Sequence, residues 1–315
     1  YKFNEHLSAY AGMRVNYVYN KYTGSITDIS ANIGGVNQNL YAYFGNLATT
    51  YNTQAAALRA QAETVTDATL KAKLLAGAAQ AEGGAQMLTA KQTQVKDKHL
   101  ECEQRGWGVT PIIGLDFKAG RWNVGTRLEL NTHLNIENDT KVDDTGLFQH
   151  GVNTPSDLPG LWTLGAQYSI LPNLRAMASY HLYFDKNARM ANNKQDLLGG
   201  NTQEFLAGME WDITPNITVS AGGQRTKYNL GDGAYLTDMS FVTSSYSIGL
   251  GAQVKLAKNM RLNVAYFWTN YEKFDKTYQQ TVVTNANPLA TVTLDNTDRF
   301  TRTNKVLGVG LDIDF

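Results

Sequence analysis

The 315 residues are enough for one large or two ordinary domains, and 28 Lys+Arg against 28 Asp+Glu give a formal net charge of zero, which excludes the basic field a nucleic-acid partner needs. A single cysteine, Cys102, excludes an intrachain disulfide and a thiolate metal cluster. Mean hydropathy is −0.34 and no run of about 18 apolar residues occurs, so no helix spans a bilayer, although a barrel with a polar interior would have the same composition.

The chain opens on "YKFNEHLSAYAG", with no secretory leader before the first strand pattern; either a leader has been removed or the true start lies upstream. Leu7, Ala9, Ala11, Met13, Val15, Tyr17 and Tyr19 share one face and Ser8, Gly12, Arg14 and Asn16 the other, a period of two that predicts a strand. Between Leu40 and Lys98 the composition shifts to Ala, Gln, Leu and Lys, which are strong helix formers. Leu47, Tyr51, Ala55 and Leu58 recur at helical spacing, Thr66 reads as an N-cap with Asp67 in the first turn, and Gly83-Gly84 predicts a bend or break. Two or three helices are therefore expected as an insert over 38–100, between the first and second strands. Its apolar stripes either pack on one another as a cap or offer a landing surface to a hydrophobic ligand.

Alternation resumes at 107–117, Trp122–Leu134, Trp162–Ile170, 174–184, Phe205–Ile213, 217–228, Tyr246–Leu256, 260–270 and 303–315, about ten strands in all. Tight turns fall at "KAGR" (118–121), "LPN" (171–173), "TPN" (214–216) and "AKN" (257–259), and long polar loops near 136–158, 186–202, 229–244 and 272–300. Short turns on one rim and long loops on the other describe an all-β, antiparallel transmembrane barrel with short periplasmic turns. Strand direction then puts the helical insert on the extracellular side. A soluble sandwich or barrel alternates as well, with the apolar face inward. Aromatics near strand ends (Tyr17, Tyr19, Trp122, Trp162, Phe184, Trp211, Trp268) and polar faces rich in Gly, Gln, Glu and Arg favour the membrane.

Chemistry-bearing motifs are absent. The five histidines are scattered, and there is neither a G-x-S-x-G nor a P-loop, so no enzyme activity, metal or other cofactor is expected. His133 and His181 read as polar linings, and Asp139, Asp143 and Asp144 as a solvated loop rather than a Ca²⁺ site. Parity turns Arg14, Arg127 and Arg175 inward, where they either attract a ligand carboxylate or pair with Glu129 and Glu210, the simpler reading.

Four segments carry a resemblance in their order. They are "KDKHLECEQRGWGVTPIIGLDF" with Gly106, Trp107 and Gly108 after the helical insert, "LPGLW" (158–162), "EWDITPNITVSAG", and a last strand ending on Phe. The chain resembles the FadL-type outer-membrane transporters of long-chain fatty acids and other hydrophobic compounds. That resemblance implies an integral, multi-pass barrel in a Gram-negative outer membrane, with the visible strands forming the C-terminal portion of a fourteen-stranded wall. The N-terminal hatch, the first strands and the family's kinked third strand find no counterpart, and neither do its ligand-carboxylate contacts. The implied function is passive uptake: capture in an apolar groove between the helical insert and the next long loop, descent into a lumen pocket, and sideways exit into the membrane. Candidate capture residues are Phe44, Leu47, Tyr51, Leu74, Met87, Leu88 and Phe148. The implied partners are outer-membrane lipid or lipopolysaccharide and a hydrophobic small molecule or fatty acid, with no nucleic acid. Two alternatives stay open: a FadL-like barrel acting as a scaffold in a secretion complex such as the type IX system, and a general diffusion porin. In the last strand Leu307, Val309, Leu311, Ile313 and Phe315 should face lipid, and Gly308, Gly310, Asp312 and Asp314 the lumen. Its free edge should pair with an early strand, and its terminal Phe resembles an assembly signal.

Overall fold

The computed structural model describes residues 1–238, 241–286 and 289–314. In chain order the elements are β1 (Leu7–Ile26), a small hairpin of β2 (Ser30–Ile33) and β3 (Val36–Asn39), α1 (Leu40–Thr64), α2 (Ala68–Gln94), β4 (Lys98–Ala119), β5 (Trp122–Glu129), β6 (Asn135–Asp143) and β7 (Asn153–Pro155). Then follow β8 (Leu161–Leu171), β9 (Leu174–Tyr183), β10 (Thr202–Thr214), β11 (Ile217–Lys227), β12 (Ser245–Ala257), β13 (Met260–Tyr271), a hairpin of β14 (Phe274–Ala286) and β15 (Leu289–Phe300), and β16 (Thr303–Ile313).

The wall is one antiparallel sheet whose staves run β1-β4-β5-β8-β9-β10-β11-β12-β13-β16, the ten strands read from the alternation. β6 and β7 extend it beyond β5, because β4 pairs β5 through Ile112–Ala119 and β6 through Leu100–Arg105. The four tight turns each leave two residues between paired strand ends, as at Ala119↔Trp122 and Leu171↔Leu174. Gly120 in the first of them has φ +57°, a left-handed conformation that glycine adopts without strain. Registers are in step across the sheet, so side-chain parity is common to all staves.

Parity resolves which face is outside. Met13, Val15 and Tyr17 on β1, Ile113 and Leu115 on β4, Phe205, Met209 and Trp211 on β10, Ile248 and Leu250 on β12, and Leu307, Val309, Leu311 and Ile313 on β16 all lie on one face and are all exposed, Met13 at 74% and Leu307 at 70%. A soluble sandwich would bury that face. An apolar belt of this extent needs lipid as its solvent. The buried hydrophobic clusters lie elsewhere: between α1 and α2, and under the loops at Leu198, Leu230, Leu236 and Phe300.

Several expectations change. β16 pairs with β13 and, among the described residues, neither β16 nor β1 has a strand on its other edge, so the expected pairing of the last strand with an early one is not formed. Phe315 lies outside the described residues. The strand expected over Trp122–Leu134 stops at Glu129, and part of the expected loop at 136–158 is β6 and β7. The cause of the break is tertiary. A Cβ on Gly106 would stand 2.7 Å from the Asn135 carbonyl oxygen, and one on Gly108 2.7 Å from that of His133. The chain between β5 and β6 therefore crosses close over two bare positions of β4, burying Thr132 and Leu134. In the insert, Asp67 rather than Thr66 is the N-cap, its carboxylate accepting from the Leu70 N–H at 2.8 Å. α2 runs unbroken through Gly83-Gly84: Gly84 is buried, and packing along α1 outweighs a helical glycine's cost of about 1 kcal/mol. The expected loop at 272–300 is largely the β14–β15 hairpin.

Candidate lumen site

The lumen face starts from residues that have no side chain to project. Gly125 pairs with Gly165, and Gly208, Gly222 and Gly249 stand opposite one another on β10, β11 and β12. Met177 precedes that row on β9 and Phe267 follows it on β13. The bare backbone leaves a concave cavity of about 710 Å³ against the wall, bordered by strands from β4 round to β13. Met177, Leu206, Ala265 and Phe267 make it apolar, while Gln167 and Gln224 give it a few neutral polar contacts. Among the described residues, the charged ones bordering it are Asp116 and Glu210.

The inward arginines are committed to carboxylates. Arg14 and Arg127 share Glu129, at 2.6 Å and 3.1 Å, and Glu129 is buried. Arg175 holds Glu210 at 2.5 Å and Asp212 at 2.9 Å, and Asp212 also accepts from the Thr218 hydroxyl at 2.7 Å. Of the two readings of these arginines, pairing with Glu129 and Glu210 is the one the structure contains. Higher in the lumen, Glu204 accepts from the Tyr183 hydroxyl at 3.1 Å and from the Gln224 amide at 2.8 Å, with the His181 ring 3.1 Å away.

Where the wall strand breaks, Asp157 anchors the crossing chain. Its side chain is fully buried and accepts from Arg189 Nε at 2.9 Å and from the Leu134 N–H at 3.0 Å, and His133 Nδ1 lies 3.0 Å away. Burial pushes this carboxyl up, but the donors of Arg189, His133 and the Leu134 backbone together hold it below the usual carboxylate range. His133 thus lines this anchor. In the acidic loop, Asp143 accepts from the Thr145, Gly146 and Phe148 N–H groups.

The seven capture candidates do not share one groove. Tyr51 and Leu88 are buried between α1 and α2 with Ala48, Ala55, Ala81 and Ala85, and Phe44 and Leu47 pack on that cluster. Leu74 is half-buried, Met87 is exposed, and Phe148 stacks on Tyr22 of β1 with ring centroids 5.0 Å apart. Four of the seven thus serve the helix pair itself. Sequence reading missed the residues that do converge, Met177, Leu206 and Phe267. The available signal was an apolar side chain on the otherwise polar parity of its strand, visible only once registers are known.

No protein-family model matches the chain, and no curated protein does. Solved structures do. A Pseudomonas aeruginosa FadL homologue matches with a TM-score of 0.55 at 11% identity, over 100% of this chain and 66% of that one. The P. putida toluene transporter TodX matches at 0.42 and 11% identity, over 69% and 54%, and the Ralstonia pickettii toluene transporter TbuX at 0.41 and 11%, over 69% and 51%. The chain therefore spans a little under two-thirds of the length of the first structure and about half of the others. The fold assignment rests on the first match together with the apolar outer belt: the chain has the fold of the FadL-type outer-membrane β-barrels.

Proposed function

We propose that this chain forms wall and lumen of an outer-membrane barrel that lets hydrophobic compounds cross the lipopolysaccharide layer down their gradient. The observation that carries the reading is the apolar, glycine-floored cavity on the inner face of a wall whose outer face is a continuous apolar belt. Removing apolar surface from water is worth roughly 25 cal/mol per Å², so such a cavity draws a hydrophobic solute inward without an energy source. No bond is made or broken. The solved relatives named as toluene transporters support this class of cargo, and the resemblance adds long-chain fatty acids. The exposed Leu70, Leu75 and Met87 of the helical insert offer a first contact on the long-loop side. A sideways exit into the membrane is the last step that the resemblance implies.

The test is influx of a labelled ten-carbon alcohol into vesicles whose outer leaflet is lipopolysaccharide. Protein-dependent influx is expected, and Gly249→Leu, which projects into the cavity from a position where a Cβ meets nothing closer than 3.4 Å, should reduce it severalfold. Sugar-driven vesicle swelling without gain in alcohol influx would instead make the barrel an open porin.

A further inference from the structure

We propose that the outer wall carries a lipopolysaccharide site: Arg225, Lys227 and Lys305, at the long-loop ends of β11 and β16, hold phosphate groups of outer-leaflet lipid A. The inference rests on the membrane-barrel reading above and concerns the lipid around the wall, not the cargo inside it. Strand parity is its starting point. Among the described residues of β8 to β13 and β16, the charged side chains with outward parity are these three cations. All stand at the long-loop end. Beside the two-residue turns the outward residues are apolar, among them Leu174, Trp211, Ile217 and Ile313.

Their surroundings are those of a lipid headgroup. Arg225 lies in register between Phe205 and Tyr246, and Lys305 opposite Trp268. Tyr180 and Trp162 extend this aromatic band, with Phe205–Tyr180 and Tyr180–Trp162 ring centroids 5.1 Å and 5.9 Å apart. Such a band sits where hydrocarbon meets headgroups, and a lysine there buries its stem and keeps its ammonium at the surface. The charge is also uncompensated. Glu272, just past the end of β13, pairs with Arg225 at 2.8 Å, while Lys227 and Lys305 are exposed and have no ion pair among the described residues. At the base of the β14–β15 hairpin, Asp275 is taken by Arg299 at 2.7 Å and Asp298 stands opposite Lys276, so the hairpin base brings no negative surplus. By contrast, Lys21, Arg105 and Lys141 on β1, β4 and β6 are answered by Glu103 and Glu101. β11 and β16 are three strand spacings apart, roughly 15 Å, so the two lysines face separate anionic groups rather than one. In an outer membrane the anion at this depth is the phosphate of lipid A, a natural partner for ammonium and guanidinium groups.

The test titrates the full chain in detergent micelles with lipid A and with the same lipid A stripped of its phosphates, and counts bound lipid by native mass spectrometry. The phosphorylated lipid should bind more tightly by about fivefold for each lysine, so about twentyfold for the pair, and added salt should narrow the difference. The double variant Lys227→Gln/Lys305→Gln should lose that preference, and Glu272→Gln, which frees Arg225, should increase it severalfold. Folding of each variant is checked by its heat-modifiable gel mobility, and 1-decanol influx into phosphatidylcholine vesicles should match the wild type. Equal affinity of the wild type for the two lipids overturns the inference and leaves the transport reading standing. A preference that survives in the double variant overturns it as well, because other groups would then hold the phosphates. Failure of the wild type to insert into phosphatidylcholine vesicles overturns the membrane-barrel reading, and the inference with it.

Discussion

Asp157 ties Arg189, His133 and the Leu134 backbone to one side chain. A fully buried carboxylate with two side-chain partners and two backbone donors cannot be deleted without stranding those groups. Asp157→Ala should destabilise the β5–β6 crossing by about 3 kcal/mol, seen as faster proteolysis within 130–160 while the wall stays folded. The same residue sets an acid dependence. Its folded pKa lies below the ordinary carboxylate value of about 3.9, so its contribution is fully present above that pH and is lost as pH falls through the lower folded value. Pepsin susceptibility of this segment should therefore rise towards pH 2. Asp157→Asn should be susceptible already at its upper working pH and show a much weaker pH step.

At the scale of elements, the helix pair and the strand crossing depend on different residues and should fail separately. Leu88→Ala removes a buried side chain from the α1–α2 contact and should cost that hairpin about 2–4 kcal/mol, read as lost helical ellipticity on heating, without changing the wall's gel mobility. Gly108→Val places a branched side chain where even a Cβ would meet Thr132 and the His133 carbonyl at 2.7 Å. It should push the crossing chain off β4 and impair assembly of the wall. The strands and two-residue turns were legible because each depends on local information, a period of two and a Pro, Gly or Asn at the bend. The end of β5 was not, because Leu130 and Leu134 continue the alternation past Glu129 and only the close approach over Gly106 and Gly108 ends it. The apolar stripes of the insert showed the same limit. Periodicity identifies the helix face of Tyr51 and Leu88 but not whether a neighbouring helix or a ligand covers it. Likewise Gly208, Gly222 and Gly249 read as scattered strand glycines until the register aligns them into the cavity floor.

For the whole molecule, the decisive physical question is which solvent the outer face meets. In the sequence the two faces of each strand are interchangeable between a soluble and a membrane barrel, and the fold separates them because the apolar face is the exposed one. If lipid covers that belt, a charge placed on it carries a depth-dependent penalty that water would not impose. Met209 is suited to measuring it: it lies well inside β10, its stave is paired on both sides, and its side chain is exposed on the outer face. Met209→Arg should reduce folding stability in bilayers by about 2–4 kcal/mol, the range for a guanidinium near the midplane of a barrel's lipid face. The penalty should shrink when the same substitution is made at Ile217, beside the short-turn rim, where the side chain reaches the interface. Equal and negligible costs at both positions would mean that water, not lipid, bathes this face. The cavity on the inner side would then open into a soluble protein rather than a path across a membrane.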